Sequence, residues 1–368
     1  MAQSIKGVST SVAAFVGYTN EGPVNDPVRI LSLADFEGTF GPTDPASGLS
    51  YSVAHFFLNG GAEAWIARVV GAGNAADPSA AEIIGSQHDK SGMFALDKVD
   101  LFNLLIIPDR SEPAVRSAMI AYAERRRAFA ILDLPGEIDT LAEAKSWISH
   151  NGASRHANSA AYFPRILAQD PAQGGQVRSF ANSGAIAGVY ARVDQQRGVW
   201  KAPAGTEAAI RGVAGLGYGL TDADQGEINP LGLNALRNFP IHGNVVWGSR
   251  TLAGADTLAS EWKYIPVRRT ALFVEECLYR GLQWAAIEPN SEPLWAQIRL
   301  SAGAFMHGLF QQGAFRGVTA KQAYIVKCDR ETTTQADIES GLLIVEIGFA
   351  PLKPAEFEWL HIKIQMTE

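Results

Sequence analysis

The residues with most chemical promise sit in glycine-rich turns. Gly71-Ala72-Gly73-Asn74-Ala75-Ala76 follows a strand-like run and fits G-x-G-x-x-A. In that pattern glycines let the backbone approach a pyrophosphate held at a helix N-terminus. The helix that should follow is interrupted at Asp77-Pro78, and no second strand ending in an acidic residue lies at the right distance. A plain turn is the expectation, with an α/β nucleotide-binding enzyme using Gly71 and Gly73 as the alternative. Gly215-Leu216-Gly217-Tyr218-Gly219 has no strand before it. Asp222-Ala223-Asp224-Gln225-Gly226-Glu227 has the texture of a calcium loop, but its glycine falls one position early and its glutamate is misplaced. A solvated loop is expected there.

Other reactive side chains are scattered. His55, His88, His150, His156, His242, His307 and His361 do not pair at metal-ligand spacing with Cys, Asp or Glu. His55 and His307 lie in apolar helical runs and read as packed or interfacial. Arg125-Arg126-Arg127 ends a helical run, where cations suit the helix dipole. Cys277 and Cys328 read as reduced, half-buried thiols of a reducing compartment. No P-loop, nucleophile elbow or H-E-x-x-H occurs, so no enzyme, cofactor or metal is expected.

The elements that must position these residues follow from length and pattern. At ~150 residues per domain, 368 residues suggest about two domains. Hydrophobic residues make up 47% and charged ones 19%, an ordinary globular balance. A net charge of -7 argues against nucleic acid as the main partner. The polar start, Met1 to Thr10, gives no secretory signal, and no apolar run reaches the ~18 residues of a membrane span.

Ser11–Tyr18 reads as a strand closed by Asn20-Glu21-Gly22-Pro23. Ser32 is placed to cap a short helix, and Leu49–Leu58 is a helix stopped by Asn59-Gly60-Gly61. Strands over Ala62–Val70, Asp100–Ile107 and Ala128–Pro135 alternate with helices over Pro113–Arg127 and Ile138–His150. That alternation argues for a mostly parallel α/β sheet. From Gln169 to Gly232, Gly, Pro, Gln and Asp cluster, suggesting long ordered loops around one helix near Gly184–Val193. Helices over Val267–Gly281 and Glu292–Gly313, then strands over Ala323–Lys327, Leu342–Phe349 and Phe357–Ile364, suggest a second, α+β domain.

Several stretches resemble the contractile phage tail sheath family. They are GVSTSVAAFVGYTNEGPVNDPVRILSLADFEGTFG (Gly7–Gly41), HFFLNGGAEAWIARVV (His55–Val70) and LDKVDLFNLLIIPD (Leu96–Asp109). GVYARVDQQRGVWKAPAG (Gly188–Gly205) and VVWGSRTLAG (Val245–Gly254) are further matches. So are YIPVRRTALFVEECLYRGLQWAAIEPNSEPLWAQIR (Tyr264–Arg299) and VKCDRETTTQADIESGLLIVEIGFAPLKPAEF (Val326–Phe357). They run collinearly over almost the whole chain.

The resemblance implies an α/β fold of subtilisin-like topology without the protease's catalytic residues. It also implies a smaller α+β C-terminal domain and terminal arms that exchange strands with neighbouring subunits. The implied division is an arm over 1–18, the α/β domain over 19–248 and the C-terminal domain with its arm strand over 249–368. Strand exchange falls on Ser9, Ser11, Ala13 and Phe15 at one end and on Phe357, Trp359, His361 and Ile362 at the other. Contact with an inner tube falls on Glu292, Arg299 and Arg316. Family members usually begin with a longer arm; here only six residues precede Gly7, so either the arm is short or the choice of start codon has clipped it.

The implied function is that of a structural subunit. It polymerises helically around an inner tube and contracts from a metastable extended state to drive the tube through a target envelope. The implied partners are copies of itself in stacked six-fold rings, the tube, baseplate and terminator proteins, and sister sheath proteins. No nucleic acid and no membrane insertion are implied. Assembly is expected in the bacterial cytoplasm, as part of a phage tail or a released contractile particle.

Overall fold

A computed structural model describes residues 3–150, 154–352 and 358–365. The chain forms two compact units, Ser9–Arg268 and Met1–Val8 with Arg269–Glu368.

The larger unit begins with β1 (Ala13–Gly17), β2 (Val28–Ile30), α1 (Leu33–Phe40), α2 (Gly48–Asn59), β3 (Ala64–Arg68), α3 (Ala80–Ile84) and β4 (Leu104–Ile106). It continues with α4 (Pro113–Arg125), β5 (Phe129–Leu132), α5 (Leu141–His150), β6 (Ser159–Phe163), β7 (Ile166–Asp170), β8 (Gln176–Phe180) and α6 (Ser183–Arg197). β9 (Gly215–Leu216), α7 (Asp222–Ile228), β10 (Asn234–Phe239) and β11 (Gly243–Val246) follow. An eight-stranded sheet has the order β11-β10-β6-β5-β4-β1-β3-β2. Its six inner strands are parallel, and the edges β2 and β11 are antiparallel to their neighbours. Leu104, Leu105 and Ile106 are wholly buried. This is why the inner strands read as unbroken apolar runs: a parallel sheet is covered on both faces.

Local signals behave as the residue types dictate. The Ser32 hydroxyl accepts from the Asp35 N–H and caps α1. Gly60, at φ 116°, ends α2 and returns its N–H to the Phe56 and Phe57 carbonyls.

Three sequence readings are corrected. The Gln169–Gly232 stretch holds more than loops around the expected helix, α6: it also carries β8, β9 and α7, and β7–β9 form a second, antiparallel sheet in the order β8-β7-β9. Asp222–Glu227 is the start of α7, where Thr221 and Asp224 form a reciprocal capping box. The residues expected to open a C-terminal domain at 249 belong to the larger unit instead, since Leu252 N–H donates to Ser159 O at 2.7 Å and Arg250 bridges Tyr264.

The smaller unit takes α8 (Ile265–Gly281) from Arg269 onward, then α9 (Glu292–Gln311), α10 (Ala320–Ala323), β12 (Tyr324–Lys327), α11 (Gln335–Glu339), β13 (Leu342–Phe349) and β14 (Glu358–Gln365). The three strands form an antiparallel sheet, β12-β13-β14. Leu343, Val345, Ile347 and Phe349 are wholly buried, the period of two that one covered sheet face requires. Among the described residues no helix is long and apolar enough to cross a membrane.

Candidate functional site

The carboxyl ends of the parallel strands are where an α/β sheet would place a catalytic group. Asp133 follows β5 there. Its carboxylate accepts from the Ser183 N–H at 3.0 Å, the Ser183 hydroxyl at 2.6 Å and the Asp109 N–H at 3.2 Å. Burial, reinforced by the nearby Asp109 carboxylate, raises the Asp133 pKa to about 6. Arg165 holds Asp109 at 2.7 Å. A nucleophilic hydroxyl needs a base oriented to take its proton and a route for substrate. Ser183 is wholly buried, and its partner is a carboxylate that also fastens two backbone N–H groups. The cluster locks the α6 N-terminus to β5.

His55 offers no base either. Its ring is 8% exposed and packs on Phe180 at 5.7 Å, its Nδ1 has no hydrogen-bond partner, and burial lowers its pKa to about 4. It is a packed side chain, as its apolar run suggests.

A cavity of about 170 Å³ opens beside these strand ends, lined by Gly17, Gly48, Asp77, Pro78, Asp109 and Arg110 among others. The glycine turn that carries the nucleotide alternative lies just upstream. There Gly71 N–H bonds Ala75 O and Ala75 N–H bonds Gly71 O, so the loop closes on itself. The next helix, α3, starts only at Ala80 and spans five residues. Arg110 is already paired with Asp77 and Glu112, and Asp77 and Asp109 present carboxylates that repel a pyrophosphate. The turn is structural, and the nucleotide reading is not supported.

The expected assembly residues fall in different settings. Ala13 and Phe15 are fully buried in β1, which has bonded neighbours on both sides, β3 and β4. No edge is open at those two positions for another chain's strand. Ser9 and Ser11 precede β1 and are partly exposed. Trp359, His361 and Ile362 lie in β14, whose backbone pairs with β13 of the same chain: Trp359 faces Gly348, His361 faces Glu346 and Ile362 faces Val345. Phe357 lies outside the described residues.

On α9, Glu292 and Arg299 pair with each other at 2.6 Å, and Arg299 also bonds the Cys328 carbonyl. Arg316 is exposed. The feature that sequence reading missed is the outward face between them. Leu300, Ala304, His307 and Gln311 are exposed, Leu300 to 63%. With half-buried Ala296, Gln297, Gly303 and Gly308 they make a helix face without a single Asp, Glu, Lys or Arg. A Cβ on Gly303 or Gly308 would touch nothing within 4 Å, so packing inside the chain does not require either glycine. Glycine inside a helix costs roughly 1 kcal/mol relative to alanine. The signal was present in the sequence as a charge-free stripe at helical spacing, but the buried stripe of Leu294, Trp295, Ile298 and Leu309 on the other side dominates the pattern.

Comparison with known proteins gives one family profile and four similar chains. Residues 84–252 match the profile described as the phage tail sheath protein central domain. A Pseudomonas aeruginosa (strain UCBPP-PA14) prophage major tail sheath protein is 28% identical, covering 94% of this chain and 86% of the relative. The helical sheath of the anti-feeding prophage in its contracted state is similar with TM-score 0.76, at 30% identity, covering 98% of this chain and 94% of that one. A chain in that particle's 6-fold symmetrised baseplate is similar at 0.77 with the same identity and coverage. The PVC sheath complex of an extracellular contractile injection system, also contracted, is similar at 0.78, with 29% identity over 98% of this chain and 93% of that one.

Proposed function

Because the chain belongs to the phage tail sheath family and is a structural subunit of a contractile sheath, not an enzyme, we propose that it polymerises helically around an inner tube and drives that tube through a target envelope. The observation that carries this reading is end-to-end similarity to sheath chains in the contracted state. The subunits would stack as six-fold rings on a baseplate, closed at the far end by a terminator protein. The sheet order β2-β3-β1-β4-β5-β6 supports a subtilisin-like topology for the larger unit. Assembly would take place in the bacterial cytoplasm before the particle is released or joined to a phage.

A helical sheath repeats one heterologous contact along an open lattice. Contraction changes that contact while each subunit keeps its shape, so links between subunits must bend where bodies do not. Strand addition meets the need, since main-chain hydrogen bonds join chains and flanking segments act as hinges. The segment before β1, with Ser9 and Ser11, and the β14 strand, with Trp359, His361 and Ile362, are the proposed links. Phe357 would belong to the same C-terminal link.

For the tube, we place the contact on the charge-free face of α9, with Arg316 at its margin. The Glu292–Arg299 pair would flank that face and not lead the contact, because the two charges already answer each other. Close approach of a second backbone is what would make Gly303 and Gly308 useful there.

The test is assembly of the purified protein, alone and mixed with its tube protein, followed by electron microscopy. Helical tubes or rings are expected without any small-molecule ligand. A protein that stays monomeric at high concentration in both mixtures would refute the reading.

A further inference from the structure

Residues 3–8 are bound to their own chain. Ile5 is only 9% exposed, seated over Gly281 at the end of α8. A Cβ on Gly281 would lie 2.7 Å from Ile5 Cγ2, so the missing side chain forms the seat. Gly7 faces Phe273, its Cβ position 3.5 Å from that ring. The Val8 N–H donates to Cys277 Sγ at 3.3 Å, and the Gln3 N–H donates to the Ser301 hydroxyl on α9 at 3.0 Å. Phe273, Cys277 and Gly281 recur every four residues and so share one face of α8. The segment therefore lies along a groove built by that face.

The binding is narrow. One apolar side chain is buried, while Gln3, Ser4, Lys6 and Gly7 remain exposed. Against this stands the backbone entropy of ordering the whole segment, which each residue adds to. Such a segment detaches readily, and the groove it leaves fits the same segment of another copy equally well. Exchange of identical elements between copies changes no contact, so concentration and geometry decide which copy is engaged.

We propose that residues 3–8 are a latch: in the free subunit they fill the groove of their own α8 and α9, and assembly requires their release. The latch holds the arm in place until a neighbour in the growing lattice offers a productive alternative, which restrains polymerisation away from a template. This rests on the sheath reading above, which assigns the segment before β1 to a neighbour in the assembled state.

Cys277 supplies the probe. Val8→Cys places a thiol beside Cys277 in the docked state, since Cys277 Sγ accepts from the Val8 N–H. Ile5→Cys with Gly281→Cys, made on Cys277→Ser, gives a second pair whose Cβ positions lie 3.1 Å apart. Mild oxidation of the dilute subunit should give an intrachain disulfide in at least one of these two variants, seen as a shifted monomer band without reductant. The oxidised subunit should assemble at least about tenfold more slowly than the same subunit after reduction, because the arm cannot change partners. Circular dichroism of the oxidised monomer checks that it is folded.

Failure of both variants to form the intrachain bond would overturn the docking. Assembly of the locked subunit at the reduced rate would overturn the latch. The unsubstituted protein run in parallel separates the two ideas: if it forms no sheath with its tube protein, the sheath reading fails, while disulfide formation still decides whether the segment docks.

Discussion

Burial of His55 predicts a specific acid sensitivity. The ring sits in α2 against Phe180, with Nδ1 unpartnered and a pKa lowered by burial to about 4. In the unfolded chain a histidine titrates near pH 6.5. The folded state therefore resists protonation, so its stability is whole above the unfolded value and falls as pH drops from there toward the folded value. With these two values, linkage removes roughly 2 kcal/mol between about pH 7.5 and about pH 5, and about 3 kcal/mol by about pH 4. Asp133 acts the other way over the same window, since a raised carboxyl pKa favours the folded state as pH falls. The total pH profile mixes the two. The difference between wild type and His55→Met isolates the first, because methionine fills a similar volume without a titrating nitrogen. Urea unfolding at several pH values would measure it. The gap in stability should shift in favour of His55→Met by about 2 kcal/mol on going from about pH 7.5 to about pH 5. A gap that stays constant would refute the claim that His55 is buried neutral.

Two further perturbations follow from close packing. Gly188→Ala should destabilise the larger unit by about 1–3 kcal/mol in the same urea assay, because a Cβ there would sit 2.7 Å from Asn59 Cβ and against the Phe56 carbonyl, and the backbone cannot rotate aside. Asp133→Asn leaves an amide NH₂ among the N–H groups of Ser183 and Asp109, so it should cost about 1–3 kcal/mol. That cost should be larger at low pH, where the wild-type carboxyl is protonated and the native state gains most from it.

The parts of the fold that repeat a simple period were readable from residue order. β1, β3, β4 and β5 are apolar runs between turn signals, and the caps at Ser32 and Gly60 sit where residue type demands. α6 was legible too, as the helix expected near Gly184–Val193, although it is buried from Ser183 through Asp194 and offers no amphipathic stripe. Its small residues, Gly184 and Gly188 above all, let α2 approach. What failed to read lies around it: α7 was hidden because Asp222 and Asp224 resemble ligands until their cap geometry is seen. At the candidate surfaces, the family resemblance put tube contact on Glu292, Arg299 and Arg316. The structure pairs the first two and leaves the neutral stripe of Leu300, Ala304, His307 and Gln311 facing outward.

The contrast between the interior and the ends bears on how such a subunit can work. The inner strands of the large sheet are sealed on both faces, and α2 meets α6 at near-backbone distance through two glycines. Deforming either would open cavities or force overlaps at about 1–3 kcal/mol for a single misfit. The N-terminal segment, by contrast, holds on through one isoleucine, worth about 1.5–3 kcal/mol of burial, against about 1–2 kcal/mol for each residue it orders. Local opening in proteins starts where that balance is closest to zero. A contracting lattice needs both regimes in one chain: bodies too stiff to absorb the stored energy, and connections weak enough to change partners without unfolding them. The same reasoning says where substitutions should act. Changes at Gly184 or Gly188 should alter whether the subunit folds, and changes at Ile5 or Gly281 should alter when it assembles while leaving the larger unit's unfolding midpoint in place.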